Sequence, residues 1–441
     1  MKSKIDFVNG KTGSSLLRMV LPLLGAMLLT MAYNLVDSLW VGNLLGENGY
    51  AALTNSTAVV LILNAIAMGA GNGIAILISQ TVGAGRAKEA EEMTATALLM
   101  SAGFAVGVTA ILEIFLRSIL GAMQTPAQLF EAAYAYLSVY LLSYAAIYLY
   151  MQFTAIFRAY GDPIFQMKGM LYSTLLNAVL DPLMIHVWGL RGAAWATVAS
   201  EVLCLLFAFV YHRRKKLFAL RFSNASAKHI KPLLCDAIPA ALQSCMPAIS
   251  SAVMLFLVTG FGVTAIAAYG VTNKLEILLF YPAMAMNMGL TTIVGQCFGA
   301  GRCDRARDYM RCALWLGGIF TAVLSAAVLI FAGNLSLLFV AGTKAAEIVA
   351  GFFKIVSVGY VMYMLTSCFL GELSGFGKPG ASMLLFFLYY IVIRIPAALL
   401  FVHGGFGLNG IWTAILLSHI AAALFAGIIA AKTARMQSTK A

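Results

Sequence analysis

Charge is what this chain has least of. Only 10% of its 441 residues are Asp, Glu, Lys or Arg, where a soluble protein carries about a quarter. Acids are the scarcer sign, 17 against 29 Lys and Arg, and there are five histidines. These shortages exclude whole classes of function. The seven cysteines are isolated and form no C-x-x-C pair, so they read as small apolar packing residues, not disulfides or metal ligands. H-E-x-x-H is absent. NGKT at Asn9–Thr12 resembles the end of a P-loop, but the required first glycine is replaced by Ile5, which excludes self-contained ATP hydrolysis. GAGR, at Gly83–Arg86 and again at Gly299–Arg302, ends apolar runs at basic loops, where glycine suits the C′ position of a helix; it is not a dinucleotide fingerprint. AYGD at Ala159–Asp162 has Ala where an intramembrane aspartyl protease needs Gly. No constellation supports an enzyme.

What the chain does have is apolar length. It is 61% hydrophobic with a mean hydropathy of +0.90. We count 12 apolar runs long enough to cross a bilayer, from Leu16–Asn43 to Leu408–Ala431. Backbone groups in hydrocarbon must bond within their own segment, so such runs mean helices. The expected fold class is an all-α membrane protein of 12 transmembrane helices. With the N-terminus inside, 23 of the 29 Lys and Arg fall on the cytoplasmic side and only Arg117, Arg191 and Lys344 on the other. This bias predicts both termini cytoplasmic and locates the net charge of +12 at a membrane surface, not on a nucleic-acid patch. Trp40, Trp188, Trp195 and Trp412 fall near the predicted outer interface, as an aromatic belt would place them. No cleavable signal peptide is visible, and a multi-pass location in a bacterial inner membrane is expected.

The chain also repeats itself. SQTVGAGRAKEAEE (Ser79–Glu92) is answered by GQCFGAGRCDRARD (Gly295–Asp308), and YGDP (Tyr160–Pro163) by FGKP (Phe376–Pro379), both 216 residues later. GLRGAAWAT from Gly189 is answered by GLNGIWTA from Gly407, at an offset of 218. The halves are read as an N-lobe at 1–211, a basic cytoplasmic linker at 212–231 and a C-lobe at 232–441, each lobe holding six spans. Six is even, so the copies share one orientation and form a 6+6 parallel repeat of two pseudo-symmetric bundles. Parallel repeats of this kind belong to transporters that rock two bundles about a central site.

Ionised groups inside a membrane cost at least about 2.5 kcal/mol each, so those retained are functional candidates. Three pairs sit at helical spacing in the N-half: Tyr33 with Asp37, Asn177 with Asp181, and Thr197 with Glu201. Asp37 and Asp181 fall at similar depth. Two carboxylates in a low dielectric cannot both ionise cheaply. Such a pair can bind a proton or neutralise itself with Na⁺ held by oxygens of Asp37, Asn177, Asp181 and Thr197. Pro182 removes one helical hydrogen bond and leaves a carbonyl available.

The C-half differs. An offset of 216 puts Val253 and Ala397 opposite Asp37 and Asp181, and the charges present are Lys274, Glu276, Lys354 and Arg394. These read first as structural pairs, Arg394 with Glu276 for instance, and alternatively as cavity-lining groups. Tyr136, Tyr140, Tyr144 and Tyr148 form a stripe in the fourth span, and Met284, Met286 and Met288 crowd the eighth. Aromatic faces attract organic cations and Met surfaces repack around varied ligands, but ordinary helix packing is the first reading of both. Candidate cavity-lining residues are Glu201, Glu276, Tyr140, Tyr144, Met286 and Arg394.

YNLVDSLWVG in the first span, RAYGDP after the fourth, NAVLDP in the fifth followed by GLRGAAWAT, and GQCFGAGR closing the eighth together resemble the multidrug and toxic compound extrusion (MATE) family, over nearly the whole chain. The nearest likeness is the bacterial multidrug-export branch whose cation site lies in the N-lobe. The resemblance implies a V-shaped pair of six-helix lobes exporting cationic or amphiphilic organic molecules in exchange for H⁺ or Na⁺. It places the coupling ion on Asp37, Asn177 and Asp181, with Tyr33 and Thr197 beside them. Another branch uses acids in the seventh and tenth spans. Here the body of the seventh, Ala241–Val258, has none and the tenth carries Glu372 at its inner end, which argues against an ion site in the C-lobe.

The expected function is therefore multidrug efflux by alternating-access antiport. The coupling ion, H⁺ or Na⁺, is the only cofactor expected. The expected partners are small organic cations and membrane lipids but no nucleic acid, and the expected state is a monomer. A flippase or exporter of lipid-linked or other anionic precursors is the alternative that Arg394 and Lys354 keep open, and a gated channel is a further one.

Overall fold

The computed structural model describes residues 5–336 and 343–438. Among these there is no strand, and 12 helices are long and apolar enough to cross a membrane. They are α1 (Thr12–Gly46), α2 (Gly49–Gly83), α3 (Ala87–Ala122), α4 (Ala127–Ala159), α5 (Ile164–Trp188), α6 (Leu190–Lys215), α7 (Ile230–Thr259), α8 (Val263–Gly299), α9 (Cys303–Ser336), α10 (Thr343–Gly375), α11 (Pro379–His403) and α12 (Gly407–Ser438). Two compact units form. One comprises Leu21–Ala241; the other joins Asp6–Val20 to Leu242–Ala441, so the borders run through α1 and α7.

The repeat is visible in the backbone. Gly85, Gly161 and Gly189 have φ of 72°, 80° and 58°, and their counterparts Gly301, Gly377 and Gly407 have 71°, 75° and 59°. This left-handed region costs an L side chain strain that glycine avoids, so the repeated glycines mark repeated turns. Burial repeats too: α2 and α4 are the most enclosed helices of the first unit, α8 and α10 of the second. One departure is a π-turn over Leu388–Ile393 inside α11. A π-turn accommodates one residue more than an α-helix at the same place.

The basic segment after α6 is tied to α3. Lys228 Nζ lies 2.7 Å and His229 Nε2 3.3 Å from Glu92 Oε2, the amide of Ala219 donates to Glu91, and Ser226 N donates to Thr96 Oγ1 at 3.0 Å. Cys204, Cys297, Cys303 and Cys368 are buried, and all seven cysteines are free thiols. Trp412 corrects an expectation: it is 1% exposed, stacked on Tyr269 and edge-on to Phe352 in the core of the second unit, not in an interfacial belt. Trp188 and Trp195 are exposed.

Candidate functional site

The polar groups of the first unit meet because three helices supply one turn each. Gly192 governs the approach of α6 to α5: a Cβ there would stand 2.0 Å from the carbonyl oxygen of Met184. That closeness brings Thr197 and Glu201 alongside Ser173, Asn177 and Asp181. Asn177 Nδ2 donates to Asp181 Oδ1 at 3.0 Å, and both side chains are fully buried. Asp37, half-buried on α1, lies within electrostatic reach of Asp181. Tyr33, one turn away, donates to Thr197 Oγ1 at 3.2 Å and lies within electrostatic reach of Glu201, Asp37 and Asp181.

Three buried oxygens in this group have no hydrogen-bond partner: Asp37 Oδ1, Asp181 Oδ2 and Asn177 Oδ1. A buried acceptor left unpaired costs about 1–3 kcal/mol, more when charged, so the arrangement stands ready for something positive. Hard oxygens are what H⁺ or an alkali cation takes. Among the described residues no three His, Cys, Asp or Glu side chains converge as a metal-ligand set.

Around this core lie residues that the spacing argument did not name as ligands. Tyr136 is buried within electrostatic reach of Asp37 and Asp181, and stacks on Tyr140 at 6.2 Å between centroids. Tyr140 is buried against Asn64 on α2, whose Oδ1 is a further unpaired buried oxygen. Ser173 Oγ lies 3.4 Å from Glu201 Oε1. The stripe Ser173, Asn177, Asp181 at four-residue steps was there to be read. Asn64, alone in an apolar run, had no local signal beyond its own cost.

The remaining candidates disperse. Tyr144 is wholly buried and donates to the Leu63 carbonyl at 3.1 Å. Met286 is buried in the second unit. Glu276 and Arg394 do not pair. Glu276 accepts from Tyr360 Oη at 2.6 Å, whereas Arg394 donates to Ser418 at 3.0 Å and to Tyr389 at 2.5 Å and lies over the rings of Tyr389 and Tyr390. The expected ion pair is replaced by hydrogen bonds and cation–π contacts, with the two charges still within electrostatic reach.

A helical membrane protein whose bundle is built twice, with two aspartates brought together inside the first copy, is in class a transporter. The chain belongs to the MatE family, matching it twice, over residues 22–183 and 239–400. It is 26% identical to the probable multidrug resistance protein YoeA of Bacillus subtilis, covering 78% of this chain and 77% of that one. It is also 26% identical to the FAD transporter of Shewanella oneidensis, covering 91% and 90%. Its fold superposes on a crystal structure of MATE in complex with MaL6 with a TM-score of 0.94 over the whole of both chains, at 22% identity. The protein is a multi-pass plasma-membrane transporter of the multidrug-efflux family.

Proposed function

We propose that this transporter is a secondary antiporter that exports cationic or amphiphilic organic compounds in exchange for H⁺ or Na⁺ by alternating access. The observation carrying this reading is the convergence of three unpaired buried oxygens, from Asp37, Asn177 and Asp181, on α1 and α5. With the site empty, Asp37 and Asp181 repel each other and their orphaned oxygens are poorly solvated. A cation entering from the outer side neutralises them, draws α1 toward α5 and changes how α1, α5 and α6 pack. That shift between two packings is the bistable element transport needs. Tyr33, through Thr197, couples α1 to α6 in the same event. A net charge crossing 100 mV releases about 2.3 kcal/mol, so one ion sustains about a fortyfold gradient of an uncharged cargo, whereas one-for-one exchange with a monovalent cation is electroneutral and is driven by the ion's concentration gradient. The relatives named for multidrug resistance support the cargo class.

A second reading, export of an anionic compound, is favoured by the buried guanidinium of Arg394 and by the relative named as an FAD transporter. Purified protein in liposomes separates the two. Imposed pH or Na⁺ gradients drive uphill movement of a fluorescent organic cation if the first holds. Flavin movement without cation movement overturns it, and ionic current with no uphill transport of either points to a channel.

A further inference from the structure

The two halves stay in register at an offset of 216 through YGDP and FGKP and reach 218 at GLRG and GLNG. The π-turn at Leu388–Ile393 accounts for one added residue between them, and the second family match begins and ends 217 residues after the first. Past the π-turn, then, Arg394 corresponds to Asn177 and Ala398, not Ala397, to Asp181. On α12, at 218, Ser418 corresponds to Ser200 and His419 to Glu201. At the start of the π-turn, where the offset is still 216, Tyr389 corresponds to Ser173. A contact verifies this register: the Ser173–Glu201 hydrogen bond of 3.4 Å has its counterpart in Tyr389 Oη to His419 Nδ1 at 2.8 Å.

The second unit thus holds a polar site at the same place in the fold, with bases where the first has an amide and an acid. Val253 and Ala398 carry no charge in place of Asp37 and Asp181. The second unit's buried charged side chains include the guanidinium of Arg394 and the carboxylates of Glu276 and Glu372, of which Glu276 lies within electrostatic reach of Arg394. The guanidinium is held by Ser418 and Tyr389 and by two ring faces, at 4.7 and 4.6 Å from their centroids. These are the partners a bound cation would take, and the guanidinium takes them. The guanidinium thus brings a positive charge of its own to the second unit's site, whereas Asp37, Asn177 and Asp181 bring none to theirs.

We propose that Arg394 is a tethered cation: its guanidinium fills, in the second unit, the place an exchangeable ion takes in the first, and so fixes the packing of α10, α11 and α12 in one ion-loaded arrangement. The inference rests on the proposed ion site only for the word exchangeable. Arg394→Gly removes the tethered charge and leaves a guanidinium-sized vacancy. In the purified full-length protein this lowers the thermal unfolding midpoint and the rate of drug uptake in liposomes. Millimolar guanidinium chloride restores both, while equimolar KCl does not. Wild type and Asp181→Asn show no response to guanidinium. A variant that remains fully stable and active without the ion, or is damaged and not restored by it, overturns the proposal. Should Arg394→Gly yield no folded protein, Arg394→Gln supplies the amide class found at Asn177, and its midpoint must then rise with guanidinium; a flat response overturns the proposal equally. Because the midpoint does not require coupled transport, an error in the first unit's ion site leaves this result readable. Guanidinium rescue alongside an active Asp181→Asn sinks that site alone.

Discussion

Asn177 and Arg394 occupy corresponding turns of two corresponding helices, yet one bonds a buried aspartate and the other the hydroxyls of a serine and a tyrosine. Around Asn177 there are orphaned oxygens; around Arg394 the cation is already built in. The same glycine turns frame both. Duplication therefore preserved the backbone plan and let the electrostatics diverge, because turns are constrained by sterics at each glycine whereas a buried charge can be replaced once its partners change with it. A site whose charges balance internally resists change. A site that needs a cation to balance is one the membrane potential can drive.

The sharpest way to break this contrast is to remove an acid from the first unit. Asp181→Asn and, separately, Asp37→Asn abolish gradient-driven uptake of an organic cation in liposomes, with both variants inserted at wild-type level, since an amide presents no charge for the ion to neutralise. Normal uphill uptake in both variants would remove the ion site from the first unit. The effect is specific to that unit: the corresponding positions, Val253 and Ala398, carry nothing to lose.

Next in size is a packing test at paired glycines. Gly192 faces the Met184 carbonyl at 2.0 Å from a built Cβ, a backbone atom that cannot swing aside. Its counterpart Gly410 meets Phe401 Cβ at 2.8 Å, Phe406 Cβ at 3.0 Å and the Phe401 carbonyl carbon at 3.2 Å, atoms equally fixed to the backbone but each farther off. Gly192→Ala costs about 1–3 kcal/mol through forced separation of α5 and α6, and Gly410→Ala less. Thermal unfolding of the two purified variants checks the order; a larger loss at Gly410 reverses it.

In the second unit, Glu276→Gln keeps an oxygen to accept from Tyr360 and removes only a charge. It lowers stability by about 1 kcal/mol and leaves gradient-driven uptake in place, with changed apparent affinity for cargo at most. Uptake lost as completely as in Asp181→Asn would make Glu276 a coupling group and end the asymmetry between the halves.

Much of this was legible in the residues. Twelve spans follow from apolar length, the repeat from motifs in register, and the acid pairs from helical spacing combined with the cost of charge in hydrocarbon. What was hidden depended on neighbours or on geometry without composition. The π-turn in α11 changes no residue type, and only the drift from 216 to 218 betrays it; a constant offset misaligned Ala397 by one place. Trp412 has the composition of a belt residue and the surroundings of a core one. Arg394 and Glu276 suggested a pair because opposite charges in a membrane usually need one, yet tyrosine hydroxyls and ring faces meet most of that need here.

The mildest change tests how α1 and α6 communicate. Tyr33 donates to Thr197 at 3.2 Å and so ties α1 to α6 at the ion site, whereas Ile415, which corresponds to Thr197 at the offset of 218, can form no such bond. Tyr33→Phe keeps the ring and its packing and removes the hydroxyl. A neutral hydrogen bond contributes about 1 kcal/mol, which corresponds to about a fivefold change in an equilibrium. The expected outcome is a several-fold higher H⁺ or Na⁺ concentration for half-maximal drug uptake, with the maximal rate little changed. Thr197→Ala should reproduce it, and the double variant should be no worse than either single, because both remove one bond. Additive losses would mean that Tyr33 and Thr197 serve the ion separately, and that α6 takes no part in sensing what α1 has bound.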